Sequence, residues 1–161
     1  MTTAPVTEPA VSLRPMRWWD LAAVQALEVT VFPADPWSPE QFWGELARVP
    51  HTRWYVVAED PGGLLGYAGL YAVAPQADVQ TLAVAPRGRG RGVGAALLDA
   101  LIATALARGC TEMLLEVRAD NVAAQRLYDR AGFVRIAVRR DYYGPGADAW
   151  VMRRRPLAAA S

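Results

Sequence analysis

The 161-residue chain has no lysine, one cysteine and one histidine. Each scarcity removes a class of chemistry. A Walker-type phosphate loop needs a lysine after its last glycine, and all 17 basic residues here are arginine. A single cysteine, Cys110, excludes an internal disulfide and a cysteine-built zinc cage. It stands between Gly109 and a strand, where a small buried thiol is the expected role. A Ser-His-Asp relay would have to be built on His51, which follows Pro50 in a connecting segment and reads as a surface residue. Long apolar runs are also missing, since none approaches the roughly 18 residues of a membrane span. The segment from Met1 to Pro9 lacks a charged-then-apolar signal pattern, so a cytoplasmic protein is expected. Charge imbalance is absent as well: 17 Arg face 16 Asp plus Glu, a net charge of +1, which argues against bulk attraction to nucleic acid or an anionic membrane.

What is present is 53% apolar content in a length sufficient for one full core. It also holds one informative block. Thr81 to Ala85 is strand-like and runs into Pro86-Arg87-Gly88-Arg89-Gly90-Arg91-Gly92-Val93-Gly94, followed directly by an apolar stripe at helical spacing. Glycines let a ligand approach the backbone, and the first helical turn offers unpaired N–H groups with a partial positive charge. The block therefore predicts a phosphate-binding turn. Its context of strand and helix disfavours a disordered Arg-Gly tail, and its glycines, two apart, do not fit the G-x-G-x-x-G dinucleotide fingerprint.

Periodicity and turn signals predict the order β-α-α-β-β-β-α-β-α-β-β. The strands are expected near Val11–Arg14, Arg53–Glu59, Leu64–Val73, Gln76–Ala85, Met113–Val117, Phe133–Arg139 and Ala147–Arg153. Helices are expected near Trp18–Val31, from a Ser38-Pro39-Glu40-Gln41 capping box to Arg48, through the stripe ending at Gly109, and from Asp120-Asn121 to Gly132. This order implies an α/β (α+β) domain with helices on a mixed, mostly antiparallel sheet of about seven strands. The domain is set at residues 11–155, with short tails at 1–10 and 156–161.

Two residues in the second half interrupt the apolar pattern. Glu116 breaks the run Met113-Leu114-Leu115 and Val117, and a carboxylate flanked by core tends to have a raised pKa. Spacing leaves open both a catalytic carboxylate and one paired with a nearby arginine such as Arg118. Tyr128 lies on the inward stripe Val122, Leu127, Tyr128, Ala131, where a core aromatic and an acid are both compatible with the pattern.

Arg89-x-x-Gly92-x-Gly94, then Leu115-Glu116-Val117, Asn121, and Leu127-Tyr128 followed by Gly132-Phe133, together resemble the GCN5-related N-acetyltransferase family. Pro36-Trp37-Ser38, Leu115-Glu116-Val117-Arg118-x-x-Asn121 and Arg139-Arg140-Asp141-Tyr142-Tyr143 are similar to its RimI-type branch, the ribosomal-protein alanine N-acetyltransferases. The resemblance spans roughly Val11 to Met152. It implies a fold with helices on both faces and splayed central strands, with acetyl-CoA wedged between them as co-substrate and no metal. It further implies that the backbone of Leu82, Ala83 and Val84 binds the pantetheine arm. The turn Gly90, Arg91, Gly92, Val93, Gly94, Ala95 would hold the pyrophosphate, and Arg89 and the side chain of Asn121 would contact the coenzyme. Glu116 matches the general base and Tyr128 the general acid, and Trp37 and Tyr142 fall on the acceptor side. Asp141 departs from the residues common before the paired tyrosines.

The implied reaction is transfer of acetyl to a protein N-terminal amine, with the N-terminal alanine of a small-subunit ribosomal protein as the implied acceptor and no direct nucleic-acid contact. An α-amine with pKa about 7.7 to 8.0 already has a neutral fraction of about a tenth at pH 7, whereas a lysine near 10.4 does not, so a modest base suits an N-terminus. A small-molecule amine acceptor is the alternative within acyl transfer. A non-catalytic acetyl-CoA-binding module is the alternative outside it. The resemblance places the acidic residues Glu28, Asp35, Glu40 and Glu45 in helices that cover the acceptor side, compatible with a basic second residue on the acceptor, while the pattern alone favours solvated helix faces.

Overall fold

The computed structural model describes residues 4, 5, 7 and 9–159; residues 1–3, 6, 8, 160 and 161, all within the expected tails, lie outside the described set. The elements follow the predicted order: β1 Ser12–Pro15, α1 Leu21–Val31 entered through a 3-10 turn at Trp18–Asp20, α2 Pro39–Leu46, β2 Arg53–Asp60, β3 Gly63–Val73 and β4 Gln76–Val84. There follow α3 Val93–Ala107, β5 Glu112–Arg118, α4 Val122–Arg130, β6 Val134–Arg139 and β7 Ala149–Arg154. At α2, the capping box forms reciprocally. The Gln41 N–H donates to Ser38 Oγ at 3.2 Å and the Ser38 N–H to Gln41 Oε1 at 2.8 Å, with Pro39 at the first helical position.

All seven strands form one sheet in the order β1-β2-β3-β4-β5-β7-β6. Neighbours are antiparallel except β4 and β5. Alternation along the strands splits the core in two. On one face, Val56, Ala58, Ala68, Leu70, Met113, Leu115 and Val117 pack against α3 and Tyr128 of α4. On the other, Tyr55, Val57, Tyr67 and Ala83 pack against Leu21, Val24 and Leu27 of α1 and Phe42 of α2. The core does not end at residue 155, where the sequence placed the domain boundary. Leu157 is fully buried, and its N–H donates to the Thr111 carbonyl at 2.8 Å. Val122 also departs from its expected place, being exposed at the start of α4, while Ala124 and Leu127 pack inward.

The one parallel pairing is short. β4 and β5 meet only at Gln76↔Glu112, Ala77↔Met113 and Asp78↔Leu114. Immediately beyond, the β3–β4 ladder shifts register: Leu70 pairs with Val79 and Gly69 with Thr81, so Gln80 has no opposite number. An extra residue in one strand bends it and increases its twist. β4 therefore turns away from β5 while keeping its pairing with β3 as far as Gly66↔Val84.

Gly69, at this shift, lies over the Tyr55 ring, where an added Cβ would stand 2.1 Å from Cε1. That ring cannot yield, because it is buried and its hydroxyl donates to Glu45 Oε1 at 2.8 Å. Gly69→Ala is expected to cost about 2 kcal/mol or more of stability through overpacking. Urea denaturation checks this, and a variant as stable as the parent would show that the ring shifts freely.

Candidate active site

The divergence of β4 from β5 opens a cleft through the sheet with an interior volume of about 140 Å³. That space takes a group about the size of benzene, enough for an acetyl and a small side chain. Val79, Gln80, Thr81 and Leu82 line one wall and Glu116, Val117 and Arg118 the other; Asn121, Ala124 and Tyr128 of α4 and Glu28, Phe32, Asp35 and Trp37 close it, with Tyr143. Because the edge of β4 past Asp78 is released from β5, its peptide groups offer a ladder to an extended ligand carrying amides. That suits Leu82, Ala83 and Val84 to a pantetheine arm.

β4 leads through a 3-10 turn at Pro86–Gly88 into α3. Gly90 and Gly92 have φ of +73° and +74°, and a Cβ on either would meet nothing within 4 Å. The glycines there serve backbone conformation and an open approach rather than close packing. Gly92 is the N-cap of α3 and supplies no side-chain cap, so the first N–H groups, at Val93, Gly94 and Ala95, are left for an anion. The cradle thus fits a pyrophosphate. Two of its three arginines are engaged by a carboxylate. Arg87 and Arg91 both turn back onto Asp60, Arg87 Nη2 at 3.1 Å from Oδ1 and Arg91 Nη1 at 2.9 Å from Oδ2, and Arg91 Nη2 also donates to the Pro9 carbonyl at 2.8 Å. These guanidiniums, Arg87 foremost, hold the Asp60 carboxyl down at about 2. Arg89 is exposed.

Glu116 sits where the alternation of β5 puts it: Met113, Leu115 and Val117 are buried, and Glu116 shares the half-exposed face with Leu114 and Arg118. It is therefore not the core-enclosed carboxylate that the apolar run suggested. Its arginine partner is Arg139 of β6, at 3.3 Å, not Arg118, which pairs with Asp120 at 3.1 Å. Tyr128 reaches the cleft from the opposite face of the sheet. Burial pushes its hydroxyl well above the ordinary phenol range, so it stays a neutral donor. The gap brings together two side chains from opposite faces. Asn121 Oδ1 is committed to capping α4 through the Ala124 N–H at 3.1 Å, while the residue lines the cleft.

Of the two residues the resemblance put on the acceptor side, Trp37 lines the cleft and Tyr142 does not; of the paired tyrosines it is Tyr143 that lines it. Tyr142 lies outside, half exposed, hydrogen-bonded to Glu116. Asp141 serves the turn: at φ +53° its Oδ1 accepts the Gly146 N–H at 2.7 Å, a local bond that favours aspartate in the left-handed region. Glu28 and Glu45 are not solvated. Glu45 is 8% exposed and Glu28 2% exposed, and Glu28 is a wall residue where the sequence favoured a solvated helix face. A signal was available, since Leu21, Val24 and Glu28 stand at i, i+3 and i+7 on the inward stripe of α1.

A seven-stranded sheet opened between β4 and β5, with a glycine turn and helix N-terminus at the end of the freed strand, defines an acyl-CoA-dependent transferase architecture. The acetyltransferase (GNAT) family model matches residues 16–133, and the chain belongs to that family of acetyl-transferring enzymes. It is 42% identical over 154 residues to the N-alpha-acetyltransferase RimI of Mycobacterium tuberculosis, covering 92% of this chain and 94% of that protein. It is 35% identical over 124 residues to the ribosomal protein bS18-alanine N-acetyltransferase of Salmonella typhimurium, covering 77% and 81%. The crystal structure of the ribosomal-protein-S18-alanine N-acetyltransferase from Escherichia coli matches with a TM-score of 0.81 at 30% identity, over 94% of this chain and 97% of that one.

Glu28 carries a pH signature. Burial pushes its carboxyl up to about 7, above an unfolded value near 4.3. Between these values the folded state holds a proton that the unfolded state has released, so stability falls as pH rises from about 4.5 through 7, by up to about 3 kcal/mol. Glu28→Gln removes this slope. Denaturation of parent and variant at pH 5 and pH 8 should show the variant gaining relative to the parent at pH 8; an equal pH dependence in both would place the titration elsewhere.

Proposed function

We propose that this chain transfers the acetyl group of acetyl-CoA to the α-amine of a protein N-terminus in the cytoplasm, with the N-terminal alanine of a small-subunit ribosomal protein as acceptor. The observation that carries the reading is the convergence of Glu116 and Tyr128 on one cleft beside the freed strand β4, which leads on into the glycine turn. The relatives named above, whose names specify N-alpha and bS18-alanine acetylation, support the acceptor. The single catalytic domain begins near residue 11.

Acetyl-CoA supplies an acyl carbon activated as a thioester. The backbone of residues 82–84 and the N–H groups of residues 90–95, with Arg89 and Asn121, hold and orient it. Glu116 takes the proton of the attacking amine through a water, which a carboxylate can do for an α-amine because a substantial neutral fraction already exists. Tyr128 presents its O–H to the departing sulfur. Its raised phenol makes direct proton transfer costly, so its contribution is a hydrogen bond to the developing thiolate. Trp37 and Tyr143 confine the acceptor's first residue to a small space.

Thiol release from acetyl-CoA with a panel of N-terminal peptides tests this. Glu116→Gln should lower kcat about 10²-fold or more with coenzyme affinity retained, and Tyr128→Phe about 10²-fold. Turnover on small amines with none on any peptide α-amine would reject the protein acceptor, and unchanged kcat in both variants would reject the catalytic assignment.

A further inference from the structure

Among the described residues, Glu28 and Glu45 are the two glutamates buried as whole residues, and they are satisfied differently. Glu45 has cations: Arg53 Nε at 2.8 Å and Arg48 Nη1 at 3.7 Å, besides the Tyr55 hydroxyl. Glu28 has neutral donors. Its Oε1 accepts the Trp37 N–H at 3.0 Å and its Oε2 the Tyr67 hydroxyl, and among the described residues no arginine pairs with it. A buried carboxylate without a countercharge is costly. In a chain with 17 arginines, Glu28 is nonetheless set in the cleft wall, on α1 across from Glu116 of β5.

The rest of the lining has the same sign. Asp35 joins Glu28 on one side and Glu116 stands on the other, while Arg118, the cation of the lining, is engaged by Asp120. The acceptor arrives as a cation, because an α-amine near pKa 8 is about nine-tenths protonated at pH 7. The Glu28 carboxyl, lifted to about 7 by burial, is about half ionised at pH 7, and an approaching ammonium favours its charged form; that carboxylate retains lone pairs beyond the two already used.

Resting on the reading of the acceptor as an amine, we propose that Glu28 binds the acceptor's α-ammonium group and is its countercharge on the α1 wall. Glu28 provides the affinity, and Glu116 takes the proton. The two hydrogen bonds from Trp37 and Tyr67 fix the carboxylate so that one face is presented to the cleft. Charge, rather than shape alone, then selects an N-terminus over an amide or a hydroxyl.

The test is calorimetry with acetyl-CoA-loaded enzyme, unreactive CoA being substituted where turnover interferes, and two peptides differing only at the first residue: one with the α-amine and one with an α-hydroxyl. The parent enzyme is expected to prefer the amine peptide at least tenfold. Glu28→Gln, which keeps an oxygen for the Trp37 N–H, should lose that preference while affinity for CoA stays within twofold. A purely structural Glu28 predicts the opposite, equal losses for both peptides, and an unaltered preference in the variant likewise overturns the proposal. If Glu28→Gln does not fold, Glu28→Asp, which keeps the charge, is measured instead and should retain part of the preference; complete loss of the preference with CoA and hydroxyl-peptide binding intact would overturn the proposal. A parent enzyme that binds CoA but acetylates no peptide would reject the acceptor reading itself and is seen without any variant.

Discussion

The structure depends on a parallel pairing that stops after three residues. Had β4 and β5 continued in register past Asp78 and Leu114, the amides of β4 would be consumed in a sheet and the two halves of the core would be sealed from each other. The unmatched Gln80 bends β4 at the point where the pairing ends. One bulge therefore supplies a strand edge for an extended ligand and an opening through which groups from both faces meet. The glycine turn then follows necessarily, because the freed strand must enter α3, and the helix start meets whatever lies along that edge.

The electrostatics are tuned around this opening rather than concentrated in it. Asp60 binds two of the three turn arginines, while Arg89 is exposed and the first N–H groups of α3 carry no side-chain cap. Directed hydrogen bonds at a helix N-terminus discriminate a phosphate by geometry, whereas three unpaired guanidiniums would attract any polyanion. On the acceptor side the sign reverses, with Glu28, Asp35 and Glu116 lining the cleft. The polarity changes from a helix N-terminus with its glycine turn at one end to a cleft lined by carboxylates at the other. An acetyl donor and an amine acceptor have the matching charges.

Much of this was legible in the residues. Hydrophobic periodicity located all eleven elements, and the Arg-Gly turn between a strand and a helix was legible because glycine and helix-start requirements are local. The splay was not readable from composition, since Gln80 resembles its neighbours and its misfit is set by β3 across the ladder. Glu116 was found, but its environment was misjudged: an apolar run on a strand reads as core on both faces, while the gap removes one neighbour and leaves it half exposed beside Arg139. Tyr142 and Tyr143 alternate, and which one enters the cleft is decided by the turn at Asp141, a long-range matter. Glu28 was assigned to solvent by its charge although its position on α1 pointed inward. The error came from weighing residue type above spacing.

Amide hydrogen exchange, with and without acetyl-CoA, tests the central claim most directly. If the coenzyme occupies the gap between the strands, exchange should slow together in residues 79–84 of the freed edge and in residues 90–95 of the turn, with little change in β6. Binding that protects the turn alone, leaving 79–84 exchanging at the unliganded rate, would contradict the claim that the interrupted pairing of β4 and β5 builds the site.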